Sequence, residues 1–394
     1  MAQGGTVVVL NGAPAAGKRD IARAVQAGAD RAFLTIGLGF LYGTMIPPPR
    51  AGVPVDAATH RRYLEALHVC VAAHARRGCH VIVDHTLIEN DWRDELRALL
   101  AGLDVVWVDV RVPDDVLLAR EAAHGPRPEG SAVALRARLA GGAADLTVDG
   151  RDSAAAAAAV LQYLAARSMR GQPYARWVPT DVPARADAPG RVIALIGSSS
   201  AGKSTLCRAV QTLAEARGGA HVVYMGIDTA LDTLPERYFG IPFHAGEMAG
   251  YAPGPDGRLG FSYVAPGPSP DNPSPYPQQQ CGPVARALIS GQLNSVAALS
   301  RAGIHVVGDH IWVFRDWHEE AARRWAGLPL LTVAVTCDDA VLAEHERLRG
   351  DRLPGWALGQ RAQMYMPPTD LVIDTGRMTP EQEAARILDA AGLS

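Results

Sequence analysis

The stretch Gly-Ser-Ser-Ser-Ala-Gly-Lys-Ser-Thr at residues 197–205 lies between an apolar run, 192–196, and a stretch with a helical pattern. This is a complete phosphate-binding loop, with a strand before it and a helix after it. Its glycines let the backbone curl so that the N–H groups point at phosphate oxygens. Lys203 adds a positive charge for the β and γ phosphates, and the Ser204 hydroxyl can bind Mg²⁺. A mere glycine-rich turn is the alternative, which the flanking pattern disfavours. The loop predicts binding of a nucleoside triphosphate.

The loop occurs a second time, in damaged form, near the N-terminus. Residues 12–19 read Gly-Ala-Pro-Ala-Ala-Gly-Lys-Arg, so the glycines and the lysine keep their spacing. Arg19 stands where the second loop has Ser204. The likeness continues beyond the loop, because residues 78–149 match 303–374 at a constant offset of 225 residues without a gap. A long internal match of this kind indicates two copies of one domain rather than a short-period solenoid.

Composition narrows the class of protein. The 394 residues suit two or three domains, 48% of them are hydrophobic, and the formal net charge is −3. The sequence has no excess of basic residues of the kind that binds a nucleic-acid backbone or an anionic membrane. The five cysteines have no metal-binding or disulfide spacing, and no apolar run reaches the ~20 residues of a membrane helix. We therefore expect a cytoplasmic protein with no membrane contact and no long nucleic-acid partner.

The order of elements predicts an α/β fold. Strand-like runs alternate with helical patterns in both halves, which implies mainly parallel sheets with helices on both faces. The predicted domains are 1–170 and 191–394, joined by a linker at 171–190 that contains four prolines. We expect contact between the two halves within the chain, and a homodimer is left open.

Two acids follow apolar strands of the second half. Asp228 ends the run 222–228 and Asp309 ends the run 306–309. The C-terminal ends of parallel strands face the ligand crevice, so Asp228 can accept or orient the proton of an acceptor hydroxyl. Its alternative role is an N-cap of the helix that begins near Thr229, and the residues alone leave this contest open. Asp309 is expected to hold Mg²⁺ through water or to contact the acceptor.

Further residues of the second half are candidates for the acceptor and the phosphates. His310 could bind substrate, although a lone histidine is more often structural. Trp312 is assigned to the same predicted substrate-binding site. Arg347, Arg349 and Arg352 surround a Gly-Asp turn, where arginines can neutralise phosphates as a mobile lid. A solvated helix end is the alternative. We favour the lid because the cluster follows the penultimate strand, 331–335, at the expected distance.

The second half carries an insertion of 36 residues relative to the first, within 238–282. It is dense in proline, glycine and tyrosine. A flexible surface loop is one interpretation, and a flap that shapes a substrate pocket is the other. We favour the flap, since long loops in compact domains are more often functional. Its aromatic content suits a partly apolar acceptor.

These motifs together resemble the chloramphenicol 3-O-phosphotransferase family of small P-loop kinases. The resemblance rests on 197–204, Gly226-Ile227-Asp228, Gly282-Pro283, Asp309, and Glu346 with the arginine cluster. It covers most of 191–394 and, more weakly, 6–170. It implies two P-loop kinase-like domains, ATP and Mg²⁺ as cosubstrates, and a small-molecule hydroxyl as acceptor, and it favours Asp228 as the catalytic base. The family's paired acids are Asp309-His310 here and the insertion is unlike the family's short segment, so chloramphenicol itself is not the expected acceptor.

The predicted site can now be stated in full. The catalytic residues are Asp228, Lys203, Arg349 and Arg352. The nucleotide-binding residues are Gly197, Ser198, Ser199, Ser200, Ala201, Gly202, Lys203, Ser204, Thr205, Arg347 and Arg349. The substrate-binding residues are Asp228, Asp309, His310 and Trp312, and the metal-binding residues are Ser204 and Asp309.

The predicted function is ATP-dependent phosphoryl transfer to a small molecule, an antibiotic or natural product. A nucleoside or polynucleotide kinase and a nucleotide-dependent regulatory switch are the alternatives. The first half lacks three catalytic features. Gly39 replaces Asp228, Arg19 replaces Ser204, and residues 124–127 replace the arginine lid. It is therefore predicted to be a pseudokinase half.

Overall fold

The computed structural model of the chain describes residues 2–47, 55–123, 130–139, 141–169, 177–183, 186, 188–218, 221–240, 253–264, 276–349 and 354–393. The described residues divide into two compact units. One comprises Met1–Gly43, His60–Val182 and Thr233–Pro235, and the other Thr44–Thr59, Pro183–Asp232 and Glu236–Ser394. The domain boundaries 1–170, 171–190 and 191–394 stay a prediction.

The first half of the chain alternates strands and helices as the pattern predicts. Its elements are β1 Ala2–Gln3, β2 Thr6–Asn11, α1 Lys18–Gly28, β3 Phe33–Thr35, α2 Leu38–Phe40, a π-helical turn Leu41–Met45, α3 Ala57–Ala75, β4 His80–His85, α4 Asn90–Leu99, β5 Asp104–Arg111, α5 Asp114–Ala123, α6 Ser131–Ala137, β6 Leu146–Asp149, α7 Ser153–Met169 and β7 Trp177–Val178.

The second half repeats this order and adds short elements within the insertion. Its elements are β8 Val192–Ile196, α8 Lys203–Ala216, β9 Val222–Tyr224, α9 Ile227–Leu231, a 3₁₀ turn Glu236–Tyr238, β10 Phe239–Gly240, α10 Pro255–Leu259, β11 Phe261–Val264, β12 Gln278–Cys281, α11 Pro283–Arg301, β13 His305–His310, α12 Arg315–Trp325, β14 Leu330–Thr336, α13 Asp339–Arg349, α14 Trp356–Gln363, β15 Leu371–Asp374 and α15 Pro380–Ala391.

Each half builds one five-stranded sheet with the same strand order. The orders are β3-β4-β2-β5-β6 and β9-β13-β8-β14-β15, and every pairing in both sheets is parallel. The strand before each phosphate-binding loop, β2 or β8, is therefore central. In register, the last residue of β8, Ile196, lies beside His310 of β13 and Ala334 of β14. The prediction of two α/β domains with mainly parallel sheets is confirmed.

The central strands are buried throughout and mostly apolar because helices cover both faces of each sheet. The residues of β2 and of β8 are all buried. One core cluster packs Ile21 and Val25 of α1 and Val160 of α7 against the first sheet. The equivalent cluster packs Leu206 and Val210 of α8 with α15 against the second sheet. The loops at the C-terminal strand ends are thus held by a rigid layer.

The insertion within 238–282 contains ordered elements in its described parts. The strands β10, β11 and β12 form a small separate sheet. Phe261 and Tyr263 of β11 are buried, and the Tyr263 ring centroid lies 4.1 Å from that of Trp356 in α14. These parts are therefore packed against the second domain. Residues 241–252 and 265–275 lie outside the described residues.

Candidate active site

The loop at 197–205 turns sharply between β8 and α8. Gly202 occupies the N-cap of α8 with φ +88°, and Ser200 also has a positive φ of 60°. Glycine adopts this left-handed conformation without strain, whereas Ser200 is held in it by the loop. A Cβ at Gly197 would collide with the carbonyl oxygen of Val335 at the end of β14. The loop therefore leaves no room for a side chain where it leaves the sheet.

Lys203 is buried beneath this loop although it carries a charge. Its Nζ donates a hydrogen bond of 2.6 Å to the carbonyl of Ser198, inside the loop. The lysine is 8% exposed. A buried ammonium at the N-terminus of α8 is suited to bind an anion such as a phosphate group.

Three oxygen-bearing side chains meet beside the loop. The Ser204 Oγ lies 3.0 Å from Asp228 Oδ2 and 3.2 Å from Asp309 Oδ2. These residues come from α8, α9 and β13, so the fold brings together two acids 81 positions apart. Among the described residues, no group of three or more His, Cys, Asp or Glu side chains is placed to hold a metal by itself. A hydroxyl and two carboxylates nevertheless fit Mg²⁺, which prefers oxygen ligands and commonly takes the remainder from phosphates and water.

Electrostatics at this cluster favours the arrival of a cation. Burial raises the pKa of Asp309 to about 7, and the neighbouring Asp228 carboxylate adds to this effect while Lys203 opposes it. Burial together with these same two carboxylates also raises the pKa of Tyr224. Two carboxylates that disfavour each other's ionisation form a site that a divalent cation stabilises.

Gly226 allows the chain at the start of α9 to lie against Asp309. It precedes α9 as its N-cap residue, and a Cβ there would overlap the carboxylate of Asp309. The N-cap interpretation of Asp228 is therefore wrong. Asp228 is the second residue of α9, with its carboxylate turned toward Ser204.

His310 and Trp312 are buried and do not lie on an open surface. Both are 1% exposed, and their rings stack with centroids 5.1 Å apart. Burial lowers the pKa of His310 to about 3, with Lys203 contributing. Trp312 also contacts the ring of His318, which in turn contacts Tyr365, each of these two side chains being partly exposed. An aromatic series thus runs outward from the end of β13.

The predicted lid is only partly described. Arg347 and Arg349 lie on the exposed side of α13, where Arg347 pairs with Glu344 at 2.7 Å. Glu346 faces inward instead and accepts hydrogen bonds of 2.6 Å from the backbone N–H groups of Gly355 and Ala357, at the start of α14. Arg352 lies outside the described residues.

One contact at the site has no signal in the sequence. Gln360 of α14 accepts a hydrogen bond from the backbone N–H of Ser199, 3.2 Å away, and donates one of 3.1 Å to the Gln279 side chain of β12. The insertion is therefore linked to the phosphate-binding loop through one glutamine side chain. No motif marks Gln360, because its role depends on which helix packs over the loop.

The first half repeats the loop and keeps one of the two acids beside it, Asp84 at the position of Asp309. Ala15 and Gly17 have φ of 61° and 87°, like Ser200 and Gly202. Lys18 donates to the carbonyls of Gly12 and Ala13, at 2.8 and 2.7 Å. A Cβ at Gly39 would overlap the guanidinium of Arg19. The first copy thus keeps the loop and its lysine. It has neither the hydroxyl of Ser204 nor the carboxylate of Asp228.

The strand order, the loop and the strand-end acids define a P-loop kinase, an enzyme that transfers a phosphoryl group to a hydroxyl. A family model described as chloramphenicol phosphotransferase-like protein matches the chain twice, over residues 5–165 and 190–391. The chain belongs to this family, and it is a tandem duplication with a degenerate first copy.

The chain is similar to several relatives and solved structures. Two proteins from strains of Mycobacterium tuberculosis, which carry the provisional name O-phosphotransferase, are each 31% identical over 205 residues, or 50% of this chain and 80% of theirs. A sugar kinase structure from a Janibacter species is 21% identical and covers 41% of this chain and 95% of its own, with a TM-score of 0.33. The Mycobacterium tuberculosis APS kinase structure is 13% identical and covers 51% and 97%, also with a TM-score of 0.33.

No described helix combines the length and the apolar character that crossing a bilayer requires.

Proposed function

We propose that the second copy transfers the γ-phosphoryl group of ATP to a hydroxyl of a small, partly apolar molecule of the antibiotic or natural-product type. The observation that carries this proposal is the meeting of Ser204, Asp228 and Asp309 beside the phosphate-binding loop. Phosphoryl transfer depends mainly on positioning and on neutralising charge. These three side chains would position the metal ion and the acceptor, and Lys203 and the metal ion would neutralise the charge of the phosphates.

Each residue has a distinct part in the proposal. The loop amides and Lys203 bind the phosphates, and Ser204 and Asp309 hold Mg²⁺, which when bound offsets the negative charge of the phosphates. Asp228 orients the acceptor hydroxyl and takes its proton. The close approach that Gly226 permits keeps the metal-binding acid and the base on the same side of the loop.

The acceptor would bind on the side of the aromatic series and the insertion. Tyr365 and His318 are partly exposed, and Arg315 lies 5.1 Å from the Tyr365 ring centroid. The hydrogen bonds from Gln279 to Gln360 and from Gln360 to Ser199 link the insertion to the phosphate-binding loop, which supports a flap whose position affects the loop. Arg349 and Arg352 are proposed to neutralise the migrating phosphoryl group when this region closes.

The proposal is tested by incubating the protein with ATP, Mg²⁺ and a panel of hydroxylated antibiotics and natural products, with nucleosides in a separate panel. Product is identified by the mass of one added phosphoryl group. A product from the first panel that disappears in Asp228→Asn is the expected result. A product from nucleosides alone would assign the nucleoside-kinase alternative. Nucleotide binding with no acceptor-dependent ADP release from either panel would assign the regulatory switch.

A further inference from the structure

The phosphate-binding loop of the first copy does not fit Mg²⁺. The metal-binding hydroxyl is replaced by Arg19, and the acid that stands at Asp228 in the second copy is replaced by Gly39. The Arg19 guanidinium lies against Gly39, in the space where a side chain at that position would begin. The guanidinium of Arg19 therefore lies where the side chain equivalent to Asp228 would begin.

The side chains beside the two loops differ in charge. The second loop has Lys203 with Asp228 and Asp309, which is one cation and two acids. The first loop has Lys18 and Arg19 with one acid, Asp84, which occupies the position of Asp309. Both cations act on Asp84, since they lower its pKa against the raising effect of burial. The first cluster therefore carries more positive charge than the second, and this charge attracts a phosphate chain without a metal ion.

A third cation strengthens the difference. Arg120 of α5 donates to the carbonyls of Ala15 and Gly150, at 3.2 and 3.0 Å, on the flank of the first loop. The equivalent position of the second copy carries His345, whose ring nitrogen lies 3.1 Å from the Ser200 carbonyl. The first copy therefore has arginines at two positions near its loop, Arg19 and Arg120, where the second copy has Ser204 and His345, and it has one acid fewer.

We propose that the first copy is a metal-independent binding site for the polyphosphate chain of a nucleotide, with Arg19 supplying the charge that Mg²⁺ supplies in the second copy. Guanidinium groups bind phosphate oxygens with two parallel hydrogen bonds, so Arg19 suits this role. The site binds without transferring a phosphoryl group, because no carboxylate stands where Asp228 would act.

The test is titration calorimetry of the full chain with ADP and with inorganic tripolyphosphate, in EDTA and in Mg²⁺. The Lys203→Ala protein is expected to keep one site in EDTA, and Lys18→Ala is expected to lose that site. Arg19→Ser should weaken it by about tenfold or more, as loss of a charged hydrogen bond predicts. Arg23→Ser, an exposed arginine of the same helix, is the matched control and should leave affinity unchanged.

A rebuilt site sharpens the test. Arg19→Ser combined with Gly39→Asp restores the residues of the second copy, and binding at the first loop should then require Mg²⁺. Circular dichroism checks that each variant is folded, and Lys18→Met serves if Lys18→Ala is not. Binding of both probes assigns a nucleotide, and binding of tripolyphosphate alone assigns the inorganic chain. Absence of Lys18-dependent binding in EDTA by folded protein, or a first site that needs Mg²⁺, overturns the proposal.

Discussion

The two copies differ far more at their phosphate-binding loops than in the bonds that hold their helices. Glu121 in the first copy and Glu346 in the second both accept backbone N–H bonds at the start of the next helix. In each copy an arginine of that helix also pairs with an acid, Arg136 with Asp114 and Arg361 with Asp339. Duplication therefore preserved what stabilises the fold and relaxed what performs the chemistry.

The difference between the copies teaches which residues the fold itself needs. The glycine before the short helix is kept in both, because a Cβ at Gly37 would overlap Asp84 as one at Gly226 would overlap Asp309. The acid two positions beyond that glycine is kept only in the second copy. The shared glycines are thus assigned to the packing of the fold, whereas Asp228, found in the second copy alone, is proposed to act in catalysis.

The largest effect is expected from Asp228→Asn. Loss of a base should lower kcat by about two to four orders of magnitude and leave nucleotide affinity unchanged. Steady-state kinetics and nucleotide titration measure the two quantities separately. Asp389→Asn, at an exposed acid of α15, is the control. A variant that loses affinity rather than turnover would place Asp228 in nucleotide binding instead.

The glycines that the copies share should be equally sensitive. Gly226→Ala and Gly37→Ala each force a methyl group into a buried carboxylate, and each should lower the free energy of unfolding by about 1–3 kcal/mol. Urea denaturation measures this loss. Gly43→Ala, where a Cβ meets nothing within 4 Å, is the matched control in the first copy. Unequal losses would mean that the two copies no longer share this packing.

The capping acids separate stability from catalysis. Glu121→Ala and Glu346→Ala each remove backbone caps of a helix and should cost about 2 kcal/mol of stability. Only Glu346→Ala should also lower turnover, because Gln360 of α14 contacts the phosphate-binding loop of the second copy. Thermal unfolding and kinetics on the same samples test this. Equal kinetic effects of both variants would show that the loss acts through general destabilisation.

A further effect concerns the pH dependence of stability in metal-free buffer. Asp309 has a folded pKa of about 7, raised from 3.8, so the native state retains its proton where the unfolded chain has lost it. The stabilisation present at low pH should therefore be lost as pH rises toward 7, by at most about 1.4 kcal/mol per pH unit. Urea denaturation in EDTA, compared with Asp309→Asn, isolates this contribution. A wild-type profile parallel to that of the variant would contradict the raised pKa.

Addition of Mg²⁺ tests whether Asp309 causes the pH dependence of the free energy of unfolding. A cation held by Ser204 and Asp309 would favour the ionised form of Asp309. The pH dependence of the wild type should then approach that of Asp309→Asn. The neutral-pH stability of the wild type should rise with Mg²⁺ concentration, as binding to the native state alone requires.

Much of the molecule was predictable from the sequence because its signals are local. The loop residues 197–205, the apolar strands around them and the constant offset between 78–149 and 303–374 gave the fold class and the duplication. The strand before each loop and the helix after it appear where the pattern placed them. Asp228 and Asp309 were found because parallel strands present their C-terminal ends at one edge.

The sequence by itself determined two P-loop domains, the loss of catalytic groups from the first, and the acids of the second. The tertiary structure decided that Asp228 faces Ser204 instead of capping α9, and that His310 and Trp312 are buried. It also decided that Gln360 reaches the loop and that Arg19 lies against Gly39. The reason is physical. Periodicity and loop motifs fix local conformation, whereas contacts between distant residues exist only once helices pack on a completed sheet.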